Sequence, residues 1–225
     1  MHLNKYNEMQ EKSDNNEKQK DSKDSMREEN GVMMQGHIKI WDPESGEVLV
    51  DKRNAIHYEN MSIALADSVG NRGNGWIYEM SFGNGGTSVD PTGIITYLTP
   101  NSTGTNASLY NQTYTKIVDD NSVNNTDPVR NKIETRHVSG TNYTDVLITC
   151  LLDYGEPSGQ DAFDTATDQN SLYVFDELGL KGYNASGTGN LLTHVVFHPV
   201  QKSLNRLIQI DYTVRIQSLA GTVGE

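Results

Sequence analysis

Ten residues near the C-terminus, Leu207-Ile208-Gln209-Ile210-Asp211-Tyr212-Thr213-Val214-Arg215-Ile216, alternate in character without a break. A repeat of two is the period of a β-strand, whose successive side chains leave on opposite faces, and no helix can satisfy it. The pattern places Ile208, Ile210, Tyr212, Val214 and Ile216 toward a core. Leu207, Gln209, Asp211, Thr213 and Arg215 face the other way. A strand this long needs a sheet on its flanks and a second layer on its apolar face, so it biases the whole chain toward layered β-structure.

Shorter runs repeat the style. His37-Ile38-Lys39-Ile40-Trp41 and Glu47-Val48-Leu49-Val50 flank Asp42-Pro43-Glu44-Ser45-Gly46, in which Pro43 pre-sets φ, Asp42 can bond the backbone two residues on and Gly46 supplies a positive φ. Strands are also expected at 76–82, 94–98, 114–118, 132–138, 144–152 and 172–175. The 132–138 and 144–152 runs pair through the turn Ser139-Gly140-Thr141-Asn142. Residues 176–180 read as a strand or a tight turn. A strand over 191–197 is expected to stop at His198-Pro199.

One helix is expected, over 58–69. Tyr58, Met61, Leu65 and Ser68 fall on a stripe with Ala64 beside it, Asn54 or His57 stands ready to cap the start, and Gly70 is placed to end the helix in a left-handed conformation. The fold class is therefore mainly β: an antiparallel β-sandwich or jelly-roll-like domain with one short helix and an extended N-terminal arm. The expected divisions are an arm over 1–33, a β-sandwich over 34–218 and a tail over 219–225.

Residues 1–30 interleave Lys5, Lys12, Lys18, Lys20 and Lys23 with Glu8, Glu11, Glu17, Asp21 and Asp24 and hold few large apolar residues. Such a segment buries too little apolar surface to offset its conformational entropy, so it is expected to order only on a neighbouring subunit. Fully extended, an arm of this length reaches up to about 100 Å. It lacks the apolar core of a secretory signal, and no run in the chain approaches the ~18–20 apolar residues of a membrane helix.

Net charge is -12 over 225 residues. That disfavours binding to nucleic acid or to an anionic membrane, both of which rest on Lys and Arg. The single cysteine, Cys150, lies in the apolar run Val146-Leu147-Ile148-Thr149-Cys150-Leu151-Leu152, which excludes a disulfide within the chain and suits a buried strand in a protein made in a reducing cytoplasm.

Motifs for chemistry are sparse, and the expectation is a protein that is not an enzyme, with no catalytic, cofactor-binding or metal-binding residues. His194 and His198 are four apart, but on a strand that spacing is about 13 Å. His57 and His137 stand alone. The Asx-rich stretches Asp119-Asp120-Asn121 and 161–168 could hold calcium, yet they lack the order of acidic ligands and glycine of a calcium loop and read as turns. Gly83-Asn84-Gly85-Gly86-Thr87 has the glycine content of a phosphate cradle without the Lys-Ser/Thr ending or the following helix. A tight corner after a buried strand, using positive φ or close backbone approach, is the expectation there. The 30 carboxylates single out no catalytic pair.

Two phrases go beyond composition. Gly36-His37-Ile38-Lys39-Ile40-Trp41-Asp42-Pro43-Glu44-Ser45-Gly46-Glu47-Val48, then Asn54-Ala55-Ile56-His57-Tyr58-Glu59-Asn60-Met61 leading through a helix and strand to Phe82-Gly83-Asn84-Gly85-Gly86-Thr87, resemble a group of structural proteins in the virions of tailed bacteriophages. The resemblance spans roughly 36–87, with a weaker echo in Leu192-Thr193-His194-Val195-Val196-Phe197 and the closing strand. Tyr58 stands where proline often follows the histidine. The resemblance implies a virion component of the neck, tail, baseplate or capsid surface, synthesised in the host cytoplasm. Its partners would be other virion proteins and copies of itself, and it implies no catalytic residues. The alternative is a carbohydrate-binding or adhesin-like β-sandwich, with Trp41, Trp76 and the eleven tyrosines as a stacking platform.

Overall fold

A computed structural model describes residues 31–160, 173–185 and 189–219. The chain divides into a body, Met34–Ile216, and a terminal unit made of Met1–Met33 and Gln217–Glu225, of which 31–33 and 217–219 are described. The expected arm and tail otherwise lie outside the described residues.

The described part is mainly β. Eleven strands run in order: β1 (Gly31–Trp41), β2 (Val48–Ile56), β3 (Ile77–Gly83), β4 (Thr87–Val89), β5 (Ile95–Tyr97), β6 (Gln112–Ile117), β7 (Lys132–His137), β8 (Tyr143–Leu152), β9 (Val174–Gly182), β10 (Thr193–Gln201) and β11 (Ile208–Leu219). Among the described residues a single helix, α1 (Tyr58–Val69), joins β2 to β3. Nine strands form one sheet in the order β6-β3-β9-β10-β2-β1-β11-β8-β7, and β4 pairs with β5 in a small hairpin. The sandwich is thus one sheet curled on itself. Its corner is the β2–β10 seam, where only Thr193 pairs with Ile56 and His194 with Ala55.

One core lies between the two arms of the curl. Met80, Phe82, Leu178, Leu180, Val195 and Phe197 come from one arm, and Ile38, Ile40, Ile148, Leu152, Ile208, Ile210, Tyr212 and Val214 from the other. Each such side chain contributes roughly 1.5–3 kcal/mol through removal of apolar surface from water. The alternation of β11 appears as expected up to Val214: Ile208, Ile210, Tyr212 and Val214 are buried and the residues between them half-buried, whereas Ile216, also expected toward the core, is half-buried at the edge of a cleft.

The first hairpin follows its turn chemistry. Asp42 Oδ1 accepts the amides of Glu44 at 2.8 Å and Ser45 at 3.3 Å, and Gly46 sits at φ 75°. β7 and β8 pair from Lys132–Thr149 to His137–Thr144, with Gly140 at φ 86° in the turn. Residues 176–180 belong to β9, which is buried along its whole length.

Three local expectations are corrected. β10 does not stop at His198-Pro199. Val196 pairs with Glu177 and Val200 with Phe175, so four positions of β10 span two of β9, and Pro199, which has no N–H to donate, falls in the bulge. Gly70 is not left-handed: it has φ -77°, and Asn71 takes φ 50° instead. The Arg72 amide bonds Asp67 O at 2.9 Å and the Asn71 amide bonds Ser68 O at 3.2 Å, a Schellman ending shifted one residue on. The helix buries Asn60, Met61 and Ala64, leaving Tyr58 71% exposed. Its face is turned because the buried Asn60 side chain donates through Nδ2 to Leu191 O at 2.9 Å, an anchor that apolar periodicity does not register. His57, not Asn54, caps the helix: its Nδ1 accepts the Asn60 amide at 3.2 Å.

Candidate functional site

Two adjacent acids on β9, Asp176 and Glu177, are buried without a Lys or Arg partner among the described residues. Asp176 accepts the amides of Gly86 and Thr87, both at 2.8 Å, and the Thr87 hydroxyl at 2.5 Å. Glu177 Oε1 accepts the amides of Asn111 at 2.7 Å and Gly85 at 3.1 Å. Its Oε2 accepts the Tyr110 amide at 2.9 Å and lies 3.0 Å from His194 Nε2. The glycine-rich segment is therefore an anion cradle after all, and the anions are the protein's own carboxylates. Glycine is required there for space rather than for positive φ: a Cβ on Gly83 would stand 2.5 Å from Asn111 O, and one on Gly85 2.7 Å from Asn111 N.

Burial raises the Glu177 carboxyl, but the His194 ring and the Asn111, Tyr110 and Gly85 amides more than reverse it, so the group is held below the usual Glu range. Burial dominates at Asp176 and raises it, against the Thr87 and Gly86 bonds and with the Glu177 charge adding to the rise. A carboxylate beside an imidazole is the hardware of general acid–base chemistry. Here both side chains are fully buried: the carboxylate is taken up by three backbone amides and the His194 ring, and His194 Nδ1 by the Asn101 amide.

The other candidate ligands considered from sequence form no common site among the described residues. His198 is exposed, with Nδ1 3.2 Å from Tyr97 OH, while His194 is buried on Glu177. His137 is exposed, with Nδ1 3.0 Å from Tyr143 O. Asp119 accepts the Asn121 amide at 3.0 Å and the Trp76 indole at 3.1 Å, and Asp120 accepts the Ile133 amide at 3.2 Å, so this stretch is built as a turn. Among the described residues no group of three His, Cys, Asp or Glu side chains is placed to hold a metal. The 161–168 stretch lies outside the described residues. Cys150 is buried in β8 and stands alone.

A cleft of about 790 Å³ opens on the body. Its apolar wall is made by Met34 of β1, Met61 and Leu65 of α1, Ile77 of β3, and Val214 and Ile216 of β11. Trp76, Tyr78 and Tyr183 form an aromatic corner: Trp76 and Tyr183 stack with centroids 4.4 Å apart and planes 9° from parallel, and Tyr78 meets Tyr183 edge-on at 5.2 Å. The Tyr183 amide bonds Trp76 O at 2.8 Å, which fixes the pair. The turn carrying Asp119, Asp120, Asn121, Ser122 and Asn124 supplies a polar rim. The volume and the mostly apolar lining match those of ordinary ligand and side-chain pockets.

No protein-family model, curated protein or solved structure matches this chain.

Sequence reasoning named Trp76 and the Asp119 turn separately. It missed their meeting, and it missed Tyr183, which nothing but its place after Gly182 sets apart from the other tyrosines. Trp41 takes no part in the cleft: its indole donates to Asp211 at 2.8 Å, and the Lys39 ammonium lies 4.8 Å from its ring centre. No helix among the described residues is long and apolar enough to cross a membrane.

Proposed function

We propose that this chain is a structural component of a tailed-phage particle, in the neck, tail, baseplate or capsid surface, and works through protein–protein contacts. The observation that carries the proposal is the pairing of an open apolar cleft with an acid–base cluster wholly occupied in holding the chain together. The strongest candidates for reactivity, Glu177 and His194, are sealed, and what the body offers outward is shape and apolar surface. A concave apolar surface of this size is where a neighbouring subunit would insert side chains. Its partners are other virion proteins and copies of itself, and the phrase match over 36–87 points the same way. Mass spectrometry of purified particles tests the assignment, and absence of the chain from intact virions rules it out. Leu65→Glu, on the half-buried wall of the cleft, should leave the isolated protein folded and lower its incorporation into particles.

A second role is favoured by one observation, the Trp76–Tyr183 stack beside an Asx-rich rim. Aromatic faces take the apolar faces of sugar rings, and the rim offers acceptors and donors for hydroxyls. In this role the cleft is a glycan site and the protein an adhesin-like module. A glycan array separates the two: binding abolished by Trp76→Ala supports the glycan role, and a blank array disposes of it.

A further inference from the structure

Residues 99–111 cross the outer face of β9 and β10 as a roof. Leu109, 4% exposed, packs beneath it over Gly179, where an added Cβ would stand 3.2 Å from Leu109 Cδ2. Two histidines from opposite sides of the β2–β10 seam hold this roof. His194 Nδ1 accepts the Asn101 amide at 2.7 Å while its Nε2 faces Glu177 Oε2 at 3.0 Å. His57 Nδ1 accepts the Asn60 amide at 3.2 Å while its Nε2 faces Gly104 O at 2.9 Å. Both rings are fully buried.

The hydrogen bonds assign the tautomers. A backbone N–H can only donate, so each Nδ1 carries a lone pair. A carboxylate and a carbonyl can only accept, so each Nε2 carries the proton. Both imidazoles are therefore neutral with every valence used. A second proton on either ring must go to Nδ1, where it meets a backbone N–H head on. At His194 that breaks the bond to Asn101 at the start of the roof. At His57 it removes the cap of α1, while Nε2–H keeps its bond to Gly104 O.

We propose that residues 99–111 form a proton-gated roof, held by neutral His194 and His57 and released at its Asn101 end when acid protonates His194. The titratable groups facing the rings are Glu177 of β9 and Tyr110 of the roof, whose ring lies 5.6 Å from that of His194, with Glu59 in the first turn of the helix that His57 caps. Glu177 also binds the Tyr110 and Asn111 amides, so the far end of the roof stays tied to β9 after the histidine end lets go. The near end is tied by the Leu98 amide on Gly86 O at 2.8 Å, so release is an opening of residues 101–109 between these two ties. It uncovers the outer face of β9 and β10 without unfolding the core. The latch is independent of the role proposed for the cleft.

Two measurements on the full chain test this. Long-range proton–nitrogen spectra of the histidines near neutral pH should show both rings as the Nε2–H tautomer. An Nδ1–H ring at either position overturns the proposal. Amide exchange, corrected for its intrinsic pH dependence, should show residues 101–109 opening at least about tenfold more on going from about pH 7.5 to about pH 5.5. Amides of β11 should not follow. His194→Asn keeps an acceptor for the Asn101 amide and cannot take a proton, so its opening should be independent of pH over that range. An equal acid response in His194→Asn, or a wild-type roof that does not open, overturns the proposal.

Discussion

Replacing Glu177 with Gln isolates the charge at the centre of the β9 cluster. The carboxylate receives four N–H groups, two on each oxygen. Glutamine keeps one oxygen and turns the other into an NH2 group, which must face two donors in either orientation. Hydrogen bonds to a charged acceptor are worth about 1.5–3 kcal/mol each, so losing two costs about 3–6 kcal/mol. That is a large share of a typical stability of roughly 5–15 kcal/mol. With a urea slope near 2 kcal/mol per molar, a loss of about 4 kcal/mol moves the midpoint down by about 2 M. The sign with pH follows from linkage. The folded Glu177 carboxyl is held below its ordinary range, so its contribution is complete above that range and is lost as pH falls through the folded value. The gap between wild type and Glu177→Gln should therefore close in acid. Urea midpoints measured across pH decide the matter. A midpoint shift below about 0.5 M at neutral pH with an unchanged slope, or a gap that widens in acid, would refute the view of Glu177 as a buried, ionised acceptor.

Three further outcomes are expected. Burial pushes the Cys150 thiol up to about 12, against the opposing charge of Lys116, so iodoacetamide at mildly alkaline pH should label it only after denaturation; rapid labelling of the native chain would contradict its place in β8. Burial lowers the Lys202 ammonium to about 8, against Glu156 and Asp153, so the folded state binds fewer protons there than the unfolded one, and stability should rise from about pH 8 toward about pH 10 and lose that rise in Lys202→Met. Gly179→Ala would set a Cβ 2.5 Å from Leu191 Cδ1 and 2.6 Å from Thr193 O, and thermal or urea unfolding should show a loss of about 1–3 kcal/mol, since the carbonyl belongs to the paired strand and cannot move aside.

What could be read from the sequence was what one strand or one turn settles for itself. The alternation over 207–216 named Ile208, Ile210, Tyr212 and Val214 as core residues of β11 because a strand's two faces are set by its own backbone; Ile216 has the right face but lies past the end of the core. The Asp42–Gly46 and Ser139–Asn142 turns were legible because their hydrogen bonds and positive φ lie within five residues. Helix α1 was placed correctly and Met61 and Ala64 of its expected stripe are buried, but Tyr58 is exposed and Asn60 buried in its stead, because Asn60 is anchored to Leu191, 131 positions away. β10 was cut short at Pro199 because the bulge that accommodates it exists only against β9.

The site belongs to the other category. Asp176 and Glu177 are two ordinary acids in the sequence, and Gly83 to Thr87 is an incomplete cradle. Only the sheet order, which lays β9 between β3 and β10 and brings residues 84–87 and 110–111 over it, joins amide donors to carboxylates. The same holds for Trp76 with Tyr183, and for the two histidines that hold residues 99–111. Strand periodicity and turn chemistry are local properties of a chain. The charge state of a buried carboxylate and the tautomer of a buried imidazole depend on which distant backbone groups face them, and those contacts exist only once the sheet has curled.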